Sequence, residues 1–312
     1  MPDPTATPPR VLAVVVTFQR RALLERLLDT LEATPGLAGV LVVDNASTDG
    51  TGEWLAARPQ GDVPVRHRTL ATNRGGAGGF HDGLAWALEE GADLVWLMDD
   101  DGLPQPGCLA TLLEHRDDLD FWGPAVVDEA DPDRLVFPIR LPGGTRVVHR
   151  TAEVEAAARA TGGLVPDAVI PFNGVLVTRA LVERIGLVRE EFFIWGDDHE
   201  YRLRAERAGA RLATVAAARV HHPSVGDLGS PMAFGRTTYN HSPSDLKAYC
   251  MARNNLVNLR TYRGRPHALA FVAKTLWFYT LTRRDPARLR LMLGGMRDGL
   301  RGDFTRHTRF LA

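Results

Sequence analysis

Short runs of apolar residues, separated by helix-length amphipathic segments, dominate the first hundred residues and narrow the fold more than any other feature of the chain. VLAVVVTF at residues 11–18 is unbroken and valine-rich, as a parallel strand covered on both faces reads. Leu23, Leu24, Leu27, Leu28 and Leu31 follow at helical spacing and form one apolar stripe. VLVVD at 40–44 is a second buried strand, and a helix through Trp54 and Leu55 starts from DNASTDGTG. A strand near 63–68, a helix near 80–90 and the strand DLVWLM at 93–98 continue the series. This alternation predicts an α/β fold: an open, mostly parallel sheet flanked by helices, with right-handed crossovers.

Beyond Asp101 the pattern loosens into pieces interrupted by Pro and Gly. It predicts a helix near 106–116 and short strands near 121–127, 135–140 and 145–149, then a loop and a strand at 174–178. From about residue 244 the chain turns helical again, with Pro266 and Pro286 at helix starts, which predicts a C-terminal helical extension. The division expected is 1–240 for the α/β unit and 241–312 for the helical region, with roughly 223–243, containing Pro, Ser and Gly, as a linker.

Composition removes several classes of function. The 37 Lys plus Arg balance 38 Asp plus Glu, so the formal charge is −1 and no nucleic-acid partner is expected. Cys108 and Cys250 lie far apart without C-x-x-C spacing, which argues against zinc ribbons and disulfide frameworks and for a reducing compartment. The first apolar run is too short for a signal sequence or a membrane span, so a cytoplasmic location is expected.

Four stretches carry candidate chemistry. Asp99-Asp100-Asp101 follows DLVWLM directly. Carboxylates crowded at the carboxyl end of a strand repel by roughly 1 kcal/mol or more per pair, and a divalent cation is the natural counter-charge. In an extended segment Asp99 and Asp101 point the same way and become candidate ligands; a solvated acidic turn is the plainer alternative. In WGDDHEY, residues 195–201, the aspartates read either as caps of the following helix or as a catalytic base among Phe192, Phe193 and Trp195. His221-His222 reads as a structural corner or, given the aspartate triplet, as the source of one imidazole ligand. NRGGAGGF, residues 73–80, precedes a helix and would let a sugar or diphosphate approach free backbone N–H groups. It is not a dinucleotide fingerprint, because His81 stands where the last glycine belongs, and no P-loop motif occurs anywhere.

In order and spacing, VVVTFQR, VVDNASTDGT, NRGGAGGF, the aspartate triplet, WGDDHEY and the His pair resemble the motifs of family 2 glycosyltransferases with a GT-A fold. The resemblance spans about residues 10–225 and, with RRDP at 283–286, almost the whole chain. The glycine string, the DDD form and the W-x-D-D-x-E-Y form are similar to galactofuranosyltransferases, and the length is most like the smaller, initiating type of actinobacterial cell-wall galactan synthesis. This implies a metal-dependent, inverting transfer of galactofuranose from UDP-galactofuranose to a polyprenyl-diphosphate-linked glycan. By position, it implies Thr17 and Arg20 by the uridine and diphosphate, Asp44 at the uracil or ribose, Arg74 at a phosphate or the donor sugar, and Asp100 facing the donor. Asp99 and Asp101 would hold Mn²⁺ or Mg²⁺ with His221 as third ligand, His222 being the adjacent alternative. Asp198 would be the base, and Gly75, Gly76, Trp195 and Asp197 would border the donor and acceptor sugars. Two other readings stay open: a rhamnosyl- or other hexosyltransferase of the same family using a dTDP- or UDP-sugar, and a non-catalytic nucleotide-sugar or glycan-binding module.

The tail adds one question. HALAFVAKTLWFYTLT at 267–282 is shorter than the roughly 20 residues a bilayer span requires, yet it carries Trp277 and Tyr279 and is flanked by arginines. It reads either as an interfacial helix at the cytoplasmic face of the plasma membrane or as a helix packed on its own catalytic domain or on a sister subunit of a homo-oligomer.

Overall fold

The computed structural model describes residues 8–225, 229–233, 235 and 237–311. Residues 1–7 of the lead-in, and 226–228, 234 and 236 of the segment read as a linker, lie outside the described residues. The first hundred residues alternate as expected: β1 (Val11–Thr17), α1 (Arg21–Glu32), β2 (Leu37–Asp44), α2 (Thr51–Ala57), β3 (Val65–Thr69), α3 (Gly75–Glu89) and β4 (Leu94–Asp99). Next come β5 (Leu103–Pro104), α4 (Cys108–Leu113), β6 (Phe121–Asp128), β7 (Arg134–Arg140), β8 (Val147–Arg150), α5 (Thr151–Ala158), β9 (Leu164–Pro166), β10 (Asn173–Thr178), α6 (Arg179–Ile185), α7 (Asp197–Arg207) and β11 (Leu212–His222). A hairpin, β12 (Ser230–Met232) and β13 (Thr237–Tyr239), leads into α8 (Asp245–Asn258), α9 (Arg265–Trp277) and α10 (Pro286–Arg301).

The valine run of β1 is buried along its whole length because helices cover both faces of the sheet. Val11, Ala13 and Val15 meet Leu24, Leu27, Leu28 and Leu31 of α1, while Leu12, Val14 and Val16 meet Ala77, Phe80 and Leu84 of α3. Each fully buried Val or Leu contributes about 2 kcal/mol. Glycines let α3 lie this close, since a Cβ at Gly79 or Gly83 would collide with Val16 or Val14.

The main sheet runs β3-β2-β1-β4-β10-β6-β11-β5, with β7 and β8 continuing from β6, and β9 pairing with β11. β1 to β4 are parallel, and so are β6 and β11; β10 lies between β4 and β6, antiparallel to both. The chain moves from β1 outward to β3, then restarts on the other side of β1 with β4. Loops leaving the carboxyl ends on either side of such a switch diverge, and the crevice between them is where open α/β sheets bind ligands.

The helical tail is more closely integrated than an appendage. Met232 and Tyr239 of the hairpin share a core with Met251, Phe278 and Met292. On its other side α8 buries Arg253 and Asn254 against residues 191–195. Among the described residues, no helix is long and apolar enough to cross a membrane.

Candidate active site

The crevice at the switch point brings three strand ends together. Register aligns Thr17 with Asp44 and Val16 with Asp99. One residue on, the Thr17 hydroxyl donates to Asp100 Oδ2 at 2.7 Å. Arg20 lies over the triplet, its Nη1 reaching Asp100 at 3.1 Å and Asp101 at 2.7 Å, so it supplies the nearest positive charge. Burial raises the Asp100 proton affinity, against the pull of Thr17 and Arg20. Asp99 is pushed well above the usual carboxylate range, first by burial and then by the charges of Asp101, Asp100, Asp197 and Asp198. Asp44 is buried at the end of β2, where its carboxylate accepts from the Ser47 amide at 3.0 Å and the Thr69 hydroxyl at 3.2 Å.

The ligand set expected from the sequence needs correction. β4 ends at Asp99 and the chain turns at Asp100, so the shared direction of Asp99 and Asp101 in an extended strand does not apply. In β11 successive side chains take opposite faces. His221 points to Gln105, and it is His222 whose Nε2 stands 3.2 Å from Asp101 Oδ1. That oxygen is buried without a well-formed hydrogen bond. His222 Nδ1 lies 2.7 Å from the Pro223 carbonyl, which fixes the proton on Nδ1 and leaves the Nε2 lone pair facing a carboxylate lone pair. Two such atoms need a proton or a cation between them. A separation of roughly 3 Å also suits neighbouring ligands on one hard cation with bonds of about 2.1 Å. Asp101 and His222 therefore fit a divalent metal as a pair; among the described residues no group of three His, Cys, Asp or Glu side chains is assembled for one. In the bare site burial opposes charge on His222, but Asp101 and the Pro223 carbonyl raise its proton affinity above the usual value, while His222 and Arg20 hold Asp101 below its own against burial.

The glycine turn differs from expectation too. Three of its amides are already taken: Arg74 N donates to Asn45 Oδ1 at 2.8 Å, Gly75 N to Asn73 at 2.7 Å and Ala77 N to the Phe193 carbonyl at 3.1 Å. Gly75, at φ +70°, has no room for a side chain because Phe193 occupies that space, whereas Gly76 is open. Arg74 is ion-paired with Asp82 and Glu190. The turn thus serves to dock α3 against the 192–196 loop. Asn45, which the sequence reading passed over, ties it to β2 through Gly75 O at 2.6 Å.

The 192–196 loop carries the second acidic pair. Phe193 and Trp195 both have positive φ, 64° and 66°, a conformation that costs of order 1–3 kcal/mol per residue and requires outside support. Support comes from α8. Asn254 Nδ2 faces the carbonyls of Phe192, Ile194 and Trp195 at 2.7–3.1 Å, Asn258 Nδ2 donates to Gly196 O at 2.8 Å, and Arg253 donates to Phe192 O at 2.8 Å. No sequence motif marks these three residues; the only signal is a run rich in polar side chains, RNNLVN at 253–258, in a helix that must also bury a face.

Asp197 and Asp198 open α7 immediately after this loop. Burial, and then Asp198, push Asp197 up to about 8. Burial also raises Asp198, against the His199 amide that donates to its Oδ1 at 2.6 Å and against Arg202. Asp198 lines a cleft of about 760 Å³, which extends to Phe137, whose ring packs edge-on against His222 at 5.3 Å. Trp195 is 37% exposed beside Asp197 and Asp198. The structure thus gathers Thr17, Arg20, Asp99, Asp100, Asp101 and His222 in one crevice, with Asp198 on the adjoining cleft, and turns His221 away.

Residues 12–152 match the family model for glycosyl transferase family 2. Over 95% of this chain and 98% of its own, the galactofuranosyltransferase GlfT1 of Mycolicibacterium smegmatis is 33% identical. The chain belongs to glycosyl transferase family 2. An undecaprenyl-phosphate mannosyltransferase of Micrococcus luteus is 42% identical over 66% of this chain and 82% of its own. The crystal structure of GalNAc-T7 with UDP, GalNAc and Mn²⁺ matches with a TM-score of 0.58 at 14% identity, over 95% of this chain and 55% of that one. The fold is GT-A, and the protein is a glycosyltransferase.

Proposed function

We propose that this enzyme transfers galactofuranose from UDP-galactofuranose to a lipid-linked glycan, with inversion and with the help of Mn²⁺ or Mg²⁺. The donor reading is supported by the likeness to GlfT1, and the lipid-linked acceptor by the name of the mannosyltransferase relative. The observation that carries the reading is that the two acidic clusters stand together: the charges of Asp197 and Asp198 act on Asp99, and Phe137, which lines the Asp198 cleft, packs its ring against His222. A metal on Asp101 and His222 would offset charge developing on the departing diphosphate. Arg20 stands over the same aspartates and can follow that charge, with Thr17 and Asp100 fixing the floor beneath it. Asp198 accepts the proton of the acceptor hydroxyl, its Oδ1 being held by the His199 amide. Desolvation strengthens that base, and a hydroxyl deprotonated there attacks the donor sugar directly, without a covalent sugar–enzyme stage.

The exposed edge of α9 and the turn after it supports a peripheral membrane contact at the cytoplasmic face. Leu269, Leu276, Trp277 and Leu281 are 40–68% exposed, whereas Phe278 and Tyr279 are turned inward. Lys274, Arg283 and Arg284 stand by this apolar face and match an anionic surface. Incubation with UDP-galactofuranose or dTDP-rhamnose, Mn²⁺ and a lipid-linked glycan, followed by NMR of the product, tests the function. Transfer from the UDP-sugar with inverted anomeric configuration is expected. Transfer from dTDP-rhamnose alone, or from neither, would overturn it.

A further inference from the structure

The aspartates of the crevice already hold a cation, and it belongs to the chain. Arg20 Nη1 bridges Asp100 Oδ1 at 3.1 Å and Asp101 Oδ2 at 2.7 Å. The Thr17 hydroxyl donates to Asp100 Oδ2 at 2.7 Å, and Asp101 Oδ1 faces His222 Nε2 at 3.2 Å. On these two carboxylates, Asp101 Oδ1 is therefore the oxygen that neither the guanidinium nor a hydroxyl covers. Among the described residues no other arginine or lysine forms an ion pair with Asp100 or Asp101.

Arg20 combines a fixed backbone with a free side chain. Its carbonyl accepts from the amides of Leu23 and Leu24 at 3.0 and 3.1 Å as α1 begins, and Gln19 before it is tied to Ser47 and Thr48 at 2.9 and 2.8 Å. The Arg20 side chain is 47% exposed, against 4% and 15% for the two carboxylates it bridges. Rotation about its side-chain bonds can thus carry the guanidinium from the aspartates to an anion in the crevice without backbone movement. While it stays, it repels a second cation brought to Asp101 and His222 and offsets the charge that would attract one. Planar arginine donors match phosphate oxygens in pairs, so a nucleotide diphosphate has the chemistry to draw Arg20 away.

We propose that Arg20 is an internal counter-ion that stands in for the divalent cation until the nucleotide diphosphate arrives, so that metal and donor bind as a pair. The inference rests on the cation reading of Asp101 and His222, and it adds why neither partner is held well alone. Without the diphosphate, Arg20 stays on the aspartates and lowers their affinity for metal. Without the metal, moving Arg20 to a diphosphate would leave Asp100 and Asp101 uncompensated beside a further anion. The coupling is reciprocal, as linkage requires.

Mn²⁺ binding to the full chain, read by electron paramagnetic resonance without nucleotide or sugar, tests this apart from activity. R20Q should bind Mn²⁺ at least tenfold tighter than wild type, whereas R20K, which keeps the charge, should stay close to wild type. R21Q, whose guanidinium lies over Trp54 at 5.4 Å, should match wild type. R20Q combined with H222A should lose the gain, which locates the ion at His222. UDP affinity, measured by calorimetry in Mn²⁺, should move the other way and weaken at least tenfold in R20Q. A residue that served only the diphosphate would leave Mn²⁺ affinity unchanged, and one that only ordered the aspartates would weaken both ligands. Either result, or an equal gain in R21Q, would overturn the proposal while UDP binding stayed metal-dependent. UDP binding that is the same in Mn²⁺ and in EDTA would overturn the cation reading itself, and this proposal with it.

Discussion

At the end of β11, His221 and His222 differ only in the side of the strand each occupies, and that decides which one meets Asp101. The sequence displays both imidazoles but not the strand's pleat relative to the crevice, which is why the pair could be recognised and the member that meets Asp101 could not. The same limit applies to Asp99 and Asp101, where the turn at Asp100 breaks the alternation that a straight strand would keep. For Asp198 the expectation is sharper. D198N should lower kcat by about 10²–10⁴, while UDP affinity measured by calorimetry stays within about twofold. The raised proton affinities of Asp197 and Asp198 also set a pH profile. A raised pKa keeps the base protonated, and therefore idle, at pH values where an ordinary carboxylate would be ionised. The acid limb of kcat should lie clearly above pH 4, with activity rising as pH increases, and a limb at the ordinary value would contradict the assignment.

At the scale of elements, β1, β2 and β4 were legible because a strand covered on both faces must be apolar throughout. β10 was legible as a strand but not as an antiparallel one, since burial patterns report faces and not direction. α5 is a helix where the pattern predicts a loop; its eight residues are mostly Ala and Glu, without a marked apolar stripe, and bury only Thr151, Val154 and Ala158. α8 was legible as a helix, yet its work was hidden, because Asn254 and Asn258 would ordinarily be assigned to the solvent face. N254A removes the donor held by three carbonyls of a loop with two positive-φ residues, a loss of roughly 1–3 kcal/mol. We expect kcat to fall at least tenfold with the donor KM little changed and the fold intact by circular dichroism. α9 makes a separate prediction. Replacing Leu269, Trp277 and Leu281 together with Ser should abolish flotation with anionic liposomes, and equal flotation of variant and parent would remove the membrane contact.

The molecule as a whole places its candidate site where the sheet changes direction of growth, between β1 and β4, with the Asp198 side formed by loops and helices from the second half of the chain. Two stretches about 120 residues apart, the aspartate triplet and the 221–222 pair, meet only because β11 runs parallel to β6 and ends beside β5. The central claim is that this meeting forms a cation site for a nucleotide diphosphate. It is tested most directly by thermal unfolding with UDP, in Mn²⁺ and in EDTA, for the wild type and for H222A and H221A. A ligand at 100 times its dissociation constant adds about 2.7 kcal/mol, so UDP should raise the wild-type Tm only with Mn²⁺, H222A should lose that rise and H221A should keep it. Equal protection by UDP in EDTA, or loss in H221A but not in H222A, would contradict the account.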